Sequence, residues 1–274
     1  MRGVARALVA VAVGAALAFL LLPLLAVFFR VSPTTLLAQL GSPVAVDALL
    51  VSLETSAIAH TVILAFGTPL AYALATRPFR GRRLAIALVE LPLVLPPAVA
   101  GLALLAAFGR RGLLGGELQA LGISLPFTQA AVAVAIVFVA SPLYVRQAIA
   151  AFQAVDPALV EAARTLGAGP FRTFARVVLP LAAAGLGAGS ALAFARGLGE
   201  FGATIIFAGS LQGVTQTLPL AVYAELDQDL EVALAIGALL VVVSAGILVA
   251  VKLLPAWERF VSISPSPFAP SSSR

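Results

Sequence analysis

The side chains that could do chemistry in this sequence are few, and what is missing among them is informative. There is no cysteine and a single histidine, His60, which lies inside an apolar run. A thiol nucleophile, a thiolate metal site and a disulfide framework are therefore excluded, and most hydrolytic and metal mechanisms lack their parts. No His, Asp or Glu cluster falls at metal-ligand spacing, so neither catalytic residues nor metal ligands are expected. The only lysine, Lys252, lies in the last apolar stretch, which rules out a phosphate-binding glycine-rich loop with its lysine; ATP would have to be handled by another chain. What remains is a pair of ionisable residues inside an apolar segment, Arg196 and Glu200, four apart and able to meet on a helix. One reading is an ion pair that closes or braces the outer end of a span. The other is that Arg196 supplies positive potential to a pathway for a tetrahedral dianion while Glu200 tempers it. His60 reads as a packed or hydrogen-bonded interior residue rather than a proton relay, Glu54 as a residue near the outer interface, and Glu90 as one that caps a helix or pairs with a loop arginine.

The elements that must position these residues are membrane spans. Of 274 residues 61% are hydrophobic and 11% charged, with a mean hydropathy of +1.09, so the bilayer is the solvent to reason in. A crossing takes roughly 20 apolar residues. Six stretches qualify, at 7–29, 48–75, 84–108, 128–150, 177–208 and 229–254, which predicts an all-α polytopic membrane protein with one domain over 1–260. The fifth stretch is long enough to require a tilt or a break. The Ser/Pro-rich tail at 261–274 reads as disordered, and the first apolar run exceeds a signal peptide's, so it reads as an uncleaved span. With the N-terminus inside, thirteen basic residues, among them Arg77, Arg80, Arg82, Arg83, Arg146, Arg164, Arg172 and Arg176, fall on the cytoplasmic side, against Arg30, Arg110 and Arg111 outside. The positive-inside rule then puts both termini in the cytoplasm. It also accounts for the net charge of +5 without a nucleic-acid partner.

Three segments carry structural signals of their own. Asp156 suits an N-cap, Pro157 the first helical position and Gly167 a left-handed helix end, so 156–167 predicts a short helix on the cytoplasmic side. Leu159, Ala162, Ala163 and Leu166 give it a small apolar stripe, which fits either a groove in another protein or the lipid headgroups. Pro92, Pro96 and Pro97 predict a kink in the third span, either bordering a pathway or shaping packing. Gly185, Gly189, Ala193 and Gly197 repeat every four residues and predict a close helix contact, within the chain or across a dimer axis; the dimer is the favoured reading.

The run Glu161-Ala162-Ala163, then Gly167, then Val177-Val178-Leu179-Pro180, resembles the signature loop of permease subunits of binding-protein-dependent ABC importers, with Val177 where that family more often has isoleucine. Leu91 to Gly101, Ala195 to Thr204 and Thr215 to Tyr223 resemble the family's oxyanion branch, molybdate permeases first, tungstate and sulfate next. The resemblance covers about residues 45–255 and implies an inner-membrane permease. It implies that Asp156, Pro157, Glu161, Ala162, Ala163, Gly167, Leu179 and Pro180 couple to a dimer of ATPase subunits that bind ATP and magnesium. Pro96, Pro97, Arg196, Glu200, Phe201, Gly202 and Thr204 are implied as pathway or gate. An extracytoplasmic binding protein, a second copy of the chain and membrane lipid are the further implied partners. A secondary transporter built on Glu54, His60, Arg196 and Glu200 is the competing class, and it leaves the signature loop without a purpose.

Overall fold

The computed structural model describes residues 2–253; the tail expected to be disordered and the domain end at 260 lie outside the described residues. Five helices among the described residues are long and apolar enough to cross a membrane. They are α1 (Arg2–Arg30, apolar from Leu8), α3 (Pro43–Thr76), α7 (Gln129–Gln153), α10 (Leu179–Leu198) with the helical turns leading into it, and α13 (Leu230–Leu253). The sixth expected span is built differently. It is a pair of helices, α4 (Arg82–Val94) and α5 (Pro97–Phe108), bent by 113° at a two-residue break.

That break corrects the expectation of one kinked helix over 84–108. Pro92 stays inside α4, while Leu95 takes an extended conformation (φ −66°, ψ 138°), because the residue before a proline is pushed out of the α region. Pro96 and Pro97 then open α5. The fifth span takes the broken form of its two expected alternatives: α10 ends at Leu198, and the chain restarts as α11 (Gly202–Phe207).

Short helices fill the connections: α2 (Pro33–Leu40), α6 (Gly115–Ala120), α8 (Pro157–Thr165), α9 (Pro170–Thr173) and α12 (Leu218–Glu225). Local chemistry starts several of them. Ser32 and Ser42 cap α2 and α3 ahead of a proline, and Thr128 caps α7 through the Ala131 amide at 3.3 Å.

Helix α7 is the centre of the bundle. Its Val132, Ala135, Ile136, Ala140, Tyr144 and Ala148 are buried between α3 on one side and α10 on the other. The seam with α3 is tight: a Cβ on Gly67 would stand 2.9 Å from the Tyr144 ring, and the Tyr144 hydroxyl lies 2.6 Å from Thr68 Oγ1. A second core joins the start of α3 to α12 and α13 through Ala45, Ala48, Leu218, Ala221 and Ile236, where Ser52 Oγ accepts from the Leu218 amide at 2.8 Å. By contrast α1 leaves its leucines from Leu8 to Leu25, with Phe19, Phe28 and Phe29, exposed and leans on α13, as suits a helix bathed in hydrocarbon.

Candidate functional site

At one end of the bundle α8 stands out from the ends of α3 and α7. Its boundaries come from three residues. Asp156 Oδ1 accepts from the Ala158 amide at 2.9 Å, Pro157 occupies the first turn, and Gly167 closes the helix at φ 81°. The Ala168 amide donates to the Ala163 carbonyl at 3.0 Å and Gly167 to Arg164 at 3.0 Å, which together make a Schellman end. The expected apolar stripe divides. Val160, which was not assigned to it, packs on the core and Ala163 is half-buried, whereas Leu159, Ala162 and Leu166 face outward, Leu166 at 87% exposure beside Phe171 at 82%.

Beneath α8 lies a cleft of about 630 Å³ lined by Tyr72, Arg77, Phe152, Glu161, Arg164 and Pro170, among others. Its floor is an aromatic group: Tyr72 meets Phe152 at 5.3 Å and Phe174 at 4.8 Å between ring centres. Phe174 begins a π-helical turn, Phe174–Val178, that runs directly into Leu179 and Pro180 at the head of α10. Helix α8 thus contacts a turn that leads into α10 and whose hydrogen bonding departs from the α pattern, as π turns at functional sites often do.

Deeper in the bundle the two broken helices meet. A Cβ on Gly202 would lie 2.4 Å from Pro97 Cβ, and one on Gly101 would lie 2.8 Å from the Ala203 carbonyl oxygen, so α11 and α5 touch backbone to backbone. Glu200 sits in the α10–α11 break, nearly fully buried, with Oε1 accepting from the Ala203 amide at 2.8 Å. Its Oε2 is 2.7 Å from Arg196 Nη1 but off the N–H direction, so charge rather than a directed hydrogen bond joins them. The pair thus ties α10 to α11 across the break. Phe201 packs on Tyr223 of α12 at 5.2 Å, and the buried Thr204 Oγ1 has no hydrogen-bond partner among the described residues.

The glycine stripe on α10 has its partner inside the chain. Gly189 fits against Gln147 Cβ, where an added Cβ would stand 2.8 Å away, and Gly197 against Ile136 Cγ2 at 2.7 Å. Gly185 and Ala193 are buried on the same helix. The favoured expectation of a dimer contact on this stripe is corrected accordingly: small residues allow α7 the close approach that makes it central.

His60 is held as an interior residue, Nε2 lying 2.7 Å from Ser190 Oγ with its ring edge-on to Phe194 at 5.5 Å. Glu54 is exposed on α3. Glu90 does pair with an arginine, Arg146, Nε to Oε1 at 3.8 Å, but this arginine lies within α7 rather than in a loop. The signal available in the sequence was that both residues are ionisable within otherwise apolar segments.

A membrane domain in which two interrupted helices meet, with a capped helix projecting from one end beside a hinge-like turn, is the architecture of an ABC importer permease. Residues 63–257 match the family model described as the binding-protein-dependent transport system inner membrane component, and the chain belongs to that family, as a multi-pass protein of the inner membrane. Its relatives are specific in name. It is 45% identical over 231 residues, 84% of this chain and 88% of the other, to the molybdenum transport system permease protein ModB of Mycobacterium tuberculosis. A probable molybdenum ABC transporter permease protein of Haloferax volcanii is 39% identical, covering 92% of each chain. The fold is that of a chain in a bacterial alginate ABC transporter solved in complex with an alginate pentasaccharide-bound periplasmic protein, at TM-score 0.70 and 16% identity over 89% of this chain and 92% of that one.

Proposed function

We propose that this chain is the membrane-spanning half of a molybdate importer, with tungstate as a second cargo, working as a homodimer over a pair of separate ATPase subunits. The observation that carries the coupling is α8. Its outward Leu159, Ala162 and Leu166, with Phe171 beyond, form an apolar face with no use inside the bundle, on a helix fixed at both ends by its own caps. Such a face suits a groove in another protein, and the basic residues in and after α8, Arg164, Arg172 and Arg176, favour a cytoplasmic position for it.

In this reading ATP and magnesium bind the partner ATPases, whose closure pushes α8. The push passes through the π turn to α10, and the spans exchange inward-facing for outward-facing states. A soluble binding protein delivers the anion from outside. The molybdate assignment leans on relatives that share most of their length with this chain.

The test is cellular molybdenum and tungsten content by elemental mass spectrometry at limiting supply, with the gene intact, deleted, or carrying Gly167→Trp. Loss of metal accumulation in both altered strains, with sulfur uptake normal, is the expected result. Unchanged metal content would remove the oxyanion assignment and leave only the ABC permease.

A further inference from the structure

Two features of the Glu90–Arg146 pair set it apart from a surface ion pair. The first is position. Arg146 lies inside α7, a helix long and apolar enough to cross a membrane, seven residues or about 10 Å of rise from its end at Gln153. Glu90 meets it from α4, eight residues after Arg82. The second is exposure: the Arg146 side chain is 67% and the Glu90 side chain 36% accessible in the single chain. A guanidinium that open, within a segment apolar enough to span a membrane, is costly against hydrocarbon and calls for water or an anion beside it. Meanwhile its carboxylate partner stands 3.8 Å away, beyond hydrogen-bonding reach.

We propose that Arg146 is an anion station of the transport pathway, on the α8 side of the helix breaks, occupied by a tetrahedral oxyanion that displaces the Glu90 carboxylate. The proposal rests on the oxyanion-importer reading above. A guanidinium offers two parallel N–H donors to a tetrahedral oxyanion as it does to a carboxylate, so Glu90 is a built-in competitor for the same fork. When the cargo moves on, Glu90 returns, the charge is never left bare, and the anion is not retained. Transport needs that balance, with a site favourable enough to enter and weak enough to leave. A phospholipid phosphate presents the same chemistry to Arg146, so the test must tell the two sources apart.

The complete transporter, this chain with its ATPase and binding protein, is reconstituted in phospholipid vesicles and in phosphate-free galactolipid vesicles, and ATP-driven uptake of radiolabelled molybdate is followed. Arg146→Gln should lower uptake about tenfold in both lipids at an unchanged melting temperature. Glu90→Gln should do the opposite to release: molybdate preloaded on the ATP side should inhibit at a concentration about tenfold lower than for the wild type. Equal losses of uptake and of melting temperature in the two variants would make the pair a mutual brace and overturn the proposal. An Arg146→Gln deficit confined to phospholipid vesicles would assign the site to lipid phosphate and overturn it too. Wild-type vesicles that import no tetrahedral oxyanion would sink the importer reading and this inference with it, whereas wild-type uptake with unaltered variants would sink this inference alone.

Discussion

The molecule holds two arginine–glutamate pairs at different levels of the same bundle, and they are built to opposite specifications. Ile136, which packs on Gly197 beside Arg196, is ten residues from Arg146 on α7, so about 15 Å of rise separates the two levels. At the upper level Glu200 is 1% exposed, its two oxygens taken by a backbone amide and a guanidinium 2.7 Å away. At the lower level Arg146 is open, Glu90 is half-buried, and the two stand 3.8 Å apart. A buried carboxylate with both oxygens engaged cannot let go without a large penalty, whereas an open, loose pair exchanges partners readily. The same two residue types therefore serve as a fastener in one place and as a switch in the other, and burial decides which.

The comparison can be broken most severely at the contact that encloses the upper pair. Gly202→Val puts a side chain where even a Cβ would meet Pro97 at 2.4 Å, and the rigid ring cannot yield. A loss of about 3 kcal/mol is expected, read as a fall in melting temperature of the purified protein; a wild-type value would mean that the two breaks are not locked together. Next in size is Glu200→Ala, which strands Arg196 and the Ala203 amide. It should cost about 2 kcal/mol, and a much smaller loss would mean that Glu200 is not the fastener.

Gly167→Ala comes third. Nothing lies within 4 Å of the added Cβ, so only the backbone strain at φ 81° is felt, about 1 kcal/mol. That strain should lower ATPase stimulation by the binding protein while leaving the melting temperature of the membrane core unchanged. Smallest is Glu90→Ala, expected to change stability by less than about 0.5 kcal/mol. A loss equal to that of Glu200→Ala would erase the distinction between the pairs.

How much could be read in advance followed the range over which each residue acts. Asp156, Pro157 and Gly167 shape their own turn, so the short helix and both its ends were legible residue by residue. The prolines at 96 and 97 announced a disturbance, but not that it would be a full break of 113°, because the angle is set by what packs on each half. The glycines at 189 and 197 announced a close neighbour without naming it: α7 lies some fifty residues away in sequence. The length of the fifth stretch announced a tilt or a break, but not that the break would fall at 199–201, since an apolar, glycine-rich run reads equally well as continuous helix in a membrane. Arg146 and Glu90 meet only because α4 and α7 are neighbours in the bundle, and no local pattern encodes that.

Helix α5 starts within the bundle, against α11. A helix that begins inside a membrane ordinarily presents four unpaired amide N–H groups, which attract any passing anion. Here the cap position is Pro96 and the first helical residue is Pro97, neither of which has an N–H to present, so only those of Ala98 and Val99 remain. The chain opens a helix in mid-bundle while removing half of the anion trap that such an opening creates.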